Sequence, residues 1–198
     1  MQIPGRKALK IDPTTDLSNV PPEQAREMLA ASLVPDPTSG VLRLSDEPCI
    51  IVRPEAIVNI QKQLEQTIGG SSKGVLYLSG ERSSRAGISP LEPILRRSAR
   101  LTIDGAKRIA DASALLGWGR AEITSFDPVR ARLLLTLTNS PLALAYGPSK
   151  KPVCHFLAGW IAGLGQILLE REVLCEEIAC AAQGRGRCEF ELRSMPTA

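Results

Sequence analysis

Alternation of apolar and polar positions is clearest between residues 129 and 138. Ala131, Leu133, Leu135 and Leu137 interleave with Arg130, Arg132, Thr136 and Thr138, a period of two that predicts a strand with one apolar face. Residues 120–126 predict its antiparallel neighbour, joined through Asp127-Pro128. Two more strands, about 173–182 and 187–193, close the chain around Gln183-Gly-Arg-Gly186. Cys49–Arg53 reads as a short buried strand and Val75–Ser79 as another, with residues 80–90 a loop rich in Gly, Ser and Arg. Helical spacing dominates elsewhere. Pro54 starts a helix whose Ile57, Ile60, Leu64 and Ile68 share a face and which Gly69-Gly70 ends. A long helical region is expected from about Leu91 to Leu116, broken near Gly105 and ended by Gly117-Trp118-Gly119. An apolar helix is expected over about 149–171. Hairpins followed by helices predict an α+β fold with a mostly antiparallel sheet and long packed helices.

The amino-terminal 40 residues read differently. Pro4, Pro13, Pro21, Pro22, Pro35 and Pro37 mark an extension, with a short helix from about Glu23 to Leu33 carrying Met28, Leu29 and Leu33 on one face. Pro35–Gly40 reads as a linker or turn, so the expected division is 1–40 as extension and 41–198 as one domain. No internal repeat or low-complexity tract is seen.

Composition narrows the function classes. Hydrophobic residues make up 43% of the 198, enough for a packed core, and 23% are charged. Lys plus Arg is 24 against 21 for Asp plus Glu, and a net charge of +3 is too small to argue for nucleic acid. Arg96, Arg97 and Arg100 stand at helical spacing and read as a solvated helix face. Residues 1–20 lack a secretory pattern, so a cytoplasmic protein with reduced thiols is expected. Between Lys151 and Glu170 run 18 residues without Lys, Arg, Asp or Glu, the length of a membrane span. Cys154, His155, Gln166 and three glycines within that run favour a buried helix instead. Its Gly159-x-x-x-Gly163 spacing permits close approach by another helix, in tight packing or at a dimer contact.

Five cysteines in a reducing compartment invite a metal reading. Cys180 and Cys188 flank a glycine-containing turn and face each other if the turn centres near Gly184, with Cβ atoms roughly 4.5–5.5 Å apart. Cys154 lies at the start of the apolar helix, where a thiolate is favoured. Three sulfurs and one carboxylate make a closed site of structural zinc type. Strand parity puts Glu176 on the face of Cys180. Glu177 joins only if a bulge separates it from Cys180. Cys49 and Cys175 read as core residues.

These residues carry a resemblance. Pro152–Gly163, then Glu177-x-x-Cys180, then Gly184 and Cys188-Glu-Phe190, resemble the 4-vinyl reductase domain family, also called hydrocarbon-binding. Leu116-Gly-Trp-Gly119 and Asn139-Ser-Pro141 resemble it more softly, and the similarity covers about residues 45–193. The resemblance implies a fold similar to TRAPP vesicle-tethering subunits, a ligand-binding domain of the nitric-oxide-signalling and Golgi-transport type, commonly as a homodimer. It implies zinc held by Cys154, Glu177, Cys180 and Cys188, choosing Glu177 over Glu176. It also implies a pocket beside the zinc, lined by Phe156, Trp160, Leu135, Leu137 and Cys175. Phenol-sensing members present a His and a Trp from upstream of the zinc cysteines. Here the one histidine is His155 and the one upstream tryptophan Trp118, which argues against phenol recognition of that type. The 198 residues also show no ATPase domain or DNA-binding helix-turn-helix.

The expected function is non-catalytic: a sensor, carrier or accessory that binds a hydrophobic small molecule, aromatic or tetrapyrrole-like. A protein-assembly adaptor of the TRAPP type is the alternative. A vinyl-group reductase of (bacterio)chlorophyll synthesis ranks lower. Reduction needs a hydride source, and no Gly-x-Gly-x-x-Gly follows a strand. Gly69-Gly-Ser-Ser-Lys-Gly74 lacks Gly-Lys-Ser/Thr and reads as a helix-ending turn rather than a phosphate loop.

Overall fold

A computed structural model describes residues 21–44, 47–88 and 103–195. The chain forms two compact units, divided between Val52 and Arg53. The expected boundary at 40/41 falls inside the first unit, at a hairpin turn. The expected arginine face at 96–100 lies outside the described residues.

The first unit contains helix α1 (Pro22–Ser32) and a three-stranded antiparallel sheet of β1 (Leu33–Asp36), β2 (Val41–Leu44) and β3 (Glu47–Cys49). The predicted linker at 35–40 is the β1–β2 turn. The Asp36 carboxylate accepts from the Thr38 and Ser39 amides and the Ser39 hydroxyl. The strand expected over 49–53 is corrected: β3 ends at Cys49, and Ile50 and Ile51 are exposed. A short apolar run cannot by itself distinguish a buried strand from an exposed connection.

The second unit is the larger. Helix α2 (Pro54–Ile68) passes through a 3-10 turn (Gly69–Ser71) into α3 (Ser72–Ile88). Helix α4 (Ile103–Leu115) leads into strands β4 (Arg120–Asp127) and β5 (Arg132–Thr138). Then come the short helix α5 (Pro141–Tyr146), helix α6 (His155–Leu169), β6 (Val173–Ala179) and β7 (Cys188–Ser194). The sheet order is β4-β5-β7-β6, with every pairing antiparallel. The fold is thus α+β, as expected. Leu133, Leu135 and Leu137 of β5 and Phe190 and Leu192 of β7 form the buried face of the sheet and belong to one core with α6.

Several local expectations are corrected. Val75–Ser79 is helix, not strand, and 80–88 continues that helix rather than forming a loop. The buried positions of α3 are Ser72, Leu76, Gly80 and Ser84, one every four residues. That stripe is mostly small, so it gives almost no hydrophobic periodicity. It matches α6 by shape: a Cβ on Gly80 would lie 2.0 Å from the Phe156 carbonyl oxygen, and one on Gly159 only 1.9 Å from that of Tyr77. The two backbones touch, which only glycine permits. Helix α4 runs through Gly105 without a break, and the apolar helix begins at His155, not near 149. On α2, Val58 and Gln61 are buried while Ile60 and Ile68 are exposed, so the inward face is rotated from the one expected.

Candidate metal centre and apolar cavity

Pro152 and Val153 lead the chain into α6, and Cys154 is its N-cap. The Cys154 amide donates to Glu177 Oε2 at 2.8 Å, tying the helix start to β6. In β6 the register shifts between Glu177, opposite Phe190, and Ala179, opposite Glu189. This is the bulge that strand parity demanded for Glu177 to share a side with Cys180. Glu177, Ala179 and Cys180 all turn inward. The turn that follows (a 3-10 turn at Ala181–Gln183, then Gly184 at φ +79°) returns the chain to Cys188 at the head of β7.

The three sulfurs form a nearly equilateral triangle. Cys154 Sγ lies 4.0 Å from Cys180 Sγ and 3.8 Å from Cys188 Sγ, and the third side is 3.9 Å. All three are free thiols, far beyond the roughly 2.05 Å of a disulfide bond. One carboxylate oxygen of Glu177 and the three sulfurs all lie within 4.8 Å of one another, and all four residues are buried. Glu176 points the other way and pairs with Arg193 at 3.1 Å on the exposed side of the sheet.

The surroundings are arranged for negative charge on sulfur. Ser140 is fully buried, accepts from the Ala143 amide at the start of α5, and places its hydroxyl 3.6 Å from Cys154 Sγ. The Ala181 amide donates to Cys188 Sγ at 3.4 Å. Hydrogen bonds from Cys154 and Cys188 hold the Cys180 thiol well below its ordinary value, and the same contact with Cys180 pushes Cys154 up. Burial pushes the Glu177 carboxyl up to about 7. Glu177 Oε1 is buried without a hydrogen-bond partner, an orphan that normally costs about 1–3 kcal/mol or more. A divalent cation amid these four groups would satisfy that oxygen and stabilise the thiolates together. The donor set therefore fits a metal.

A cavity of about 310 Å³ opens beside this cluster, between the sheet, α6 and α4. Phe156, Trp160, Leu164 and Leu168 line it at four-residue intervals along α6, with Leu135 and Leu137 opposite. Trp118 stacks against Phe156 with ring centroids 6.3 Å apart. Its lining contains no charged residue, and polar groups are few: Ser83, Ser113 and the Trp118 indole. The Ser113 hydroxyl is already donated to the Ile109 carbonyl. Four of the five pocket residues named from sequence line this space. Cys175 does not: it sits on edge strand β6, while the cavity spans β4, β5 and β7, and its amide donates to the Tyr77 hydroxyl of α3. The α4 wall, including Ile109, was not anticipated, because its apolar residues look like any helix core. His155 faces a different recess, and burial followed by the charge of Lys73 pushes its imidazole below the ordinary value.

Residues 133–194 match the family model of the 4-vinyl reductase domain, which bears out the resemblance drawn from the cysteine pattern. An uncharacterized protein of Methanocaldococcus jannaschii is 32% identical over 75 residues, which is 38% of this chain and 44% of the relative. The chain thus spans less than half of that relative's length. Among solved structures, the phenol-responsive sensory domain of the transcription activator PoxR, with phenol, superposes with a TM-score of 0.71 at 17% identity. It covers 87% of this chain and 89% of its own. A trafficking protein particle complex subunit 3 from Naegleria fowleri, covalently bound to palmitic acid, gives 0.53 at 16% identity, covering 72% and 95%. At these identities the likeness establishes the fold. No helix among the described residues is long and apolar enough to cross a membrane.

Proposed function

We propose that this chain is a non-catalytic sensor, carrier or accessory domain that holds a hydrophobic small molecule in the cavity beside a structural zinc. The observation that carries the reading is the uncharged, almost wholly apolar lining of that cavity. Such a space holds a ligand by burial, with few groups to anchor or transform it. The match to the 4-vinyl reductase domain and the likeness to a sensory domain that binds phenol support it. The volume stands at the low end of the roughly 300–1,000 Å³ usual for drug-sized ligands, which favours one or two aromatic rings over a tetrapyrrole.

Cys154, Glu177, Cys180 and Cys188 would hold the zinc. A tetrahedral site with bonds near 2.3 Å spaces its sulfurs about 3.8 Å apart, close to the triangle seen here. When bound, zinc supplies a crosslink between helix start and hairpin, with no open position for catalysis. The residues around it keep the ligand atoms in place: Glu177 Oε2 holds the Cys154 amide, and Ala181 and Ser140 address two sulfurs.

A second reading is protein assembly, as a homodimer or as a TRAPP-type adaptor. Ile60 of α2 and Leu144 of α5 favour it: they are 63% and 68% exposed on helices that pack together.

The test is metal analysis with mass spectrometry of the purified protein and its organic extract. One zinc per chain and a retained apolar compound are expected. The reading fails if the cavity-filling variant Ala110→Phe retains the same compound in the same amount.

A further inference from the structure

Neither the cavity nor the cysteine cluster uses a second recess of about 300 Å³, whose walls include Ser72, Lys73, Ser149, Lys150, Lys151 and His155. Its charges are unbalanced. Glu65 is the one carboxylate in the wall, and both of its oxygens are engaged: Oε1 accepts from Gln61 Nε2 at 2.9 Å and Oε2 from the Tyr146 hydroxyl at 2.7 Å. Lys62, just outside the lining, donates to the Tyr146 carbonyl at 3.0 Å and lies 4.7 Å from its ring centre. Lys73, Lys150 and Lys151 form no ion pair among the described residues.

The backbone carrying these lysines is fixed in advance. Ser149 Oγ donates to the Lys151 carbonyl and accepts from the Lys151 amide, while Gln183 Nε2 donates to the Lys150 carbonyl. The Ser149 amide donates to the Ala182 carbonyl. Lys73 sits in the first turn of the 17-residue α3, at the positive end of its dipole. Three ammonium groups from two rigid segments around one concave surface focus positive potential there. Three lysines against one glutamate leave a net charge of +2, which matches a phosphate group at neutral pH better than a single carboxylate.

We infer that this recess binds the phosphate group of an anionic ligand through Lys73, Lys150 and Lys151. The site is separate from the apolar cavity and does not depend on what that cavity holds.

The test uses the full, metal-loaded chain titrated with inorganic pyrophosphate and followed by amide chemical shifts, with sodium chloride at matched ionic strength as control. Saturable shifts at residues 72–74 and 149–155 are expected. The combined Lys73→Ala, Lys150→Ala and Lys151→Ala variant weakens binding by roughly tenfold or more, with metal content unchanged. Replacing the same three by arginine keeps binding and controls for folding. Sedimentation with phosphatidylglycerol vesicles but not phosphatidylcholine vesicles, lost in the alanine variant, assigns the phosphate to a lipid headgroup. Saturable pyrophosphate binding without vesicle binding assigns it to a free ester. Shifts that chloride reproduces, or an alanine variant that binds as well as the parent, overturn the inference, as does binding to neither probe.

Discussion

At its first turn α6 joins a cluster of polar atoms. Along its length it faces a void. Cys154 is surrounded by two thiols, a carboxylate and a serine hydroxyl, all within hydrogen-bonding or ligating range. Phe156, Trp160, Leu164 and Leu168 border a space that the protein's own side chains leave unfilled. Both regions use the same helix and the same sheet. They differ in whether the facing elements close on each other: the bulged end of β6 and the hairpin turn reach Cys154, while β4, β5 and α4 stand back. One region fixes the position of α6, and the other takes its shape from that position. The comparison therefore assigns the metal cluster to architecture and the cavity to recognition.

The hardest break falls on the cluster. Cys180→Ser is expected to take zinc from one per chain toward none, as read by elemental analysis. It also costs several kcal/mol of stability in denaturant unfolding, because metal binding here is folding energy. Ligand retention falls with it. Gly159→Val strikes the support shared by both regions. Its side chain meets the Tyr77 backbone, so a loss of about 1–3 kcal/mol is expected, with zinc retained in the folded fraction. Ala110→Phe separates the two regions: ligand retention falls at least about tenfold while zinc stays at one per chain. A joint loss of zinc and ligand in that variant breaks the proposed division. The smallest effect is at Glu176→Ala, where zinc stays at one and stability moves by no more than about 0.5 kcal/mol, as for an exposed ion pair. Glu177→Gln, measured beside it, lowers zinc affinity. Equal behaviour of the two variants removes the reason for choosing Glu177.

How far the sequence could be read depended on whether a side chain's role shows in its hydrophobicity. Strand β5 was plain because its buried leucines alternate with Arg and Thr. Helix α3 was hidden because Ser72, Gly80 and Ser84 pack through smallness, which no apolar period reports. The positions of Cys154, Cys180 and Cys188 were legible as a thiol pattern around a turn. Parity alone favoured Glu176, since it assumes an unbroken ladder and the bulge before Ala179 breaks it. The cavity was legible only in part. Its wall residues are the same leucines and aromatics that fill cores, and whether they meet is set by the separation of α4 from the sheet. Ser140 and Gln61 were missed, although Ser140 before Pro141 carried an N-cap signal. Gln61 is buried and donates to the Val153 carbonyl, one residue before the metal cluster's first cysteine.

The backbone contact between Gly80 and Phe156, and between Gly159 and Tyr77, has a consequence for how the cavity adapts. With no side chain between them, α3 and α6 have no slack in which to slide or roll, and Cys154 anchors the near end of α6. Three walls of the mould are therefore stiff. Occupants of different girth are accommodated on the remaining side, by displacement of α4, so the dimension of that helix's travel sets the range of molecules the domain can tell apart.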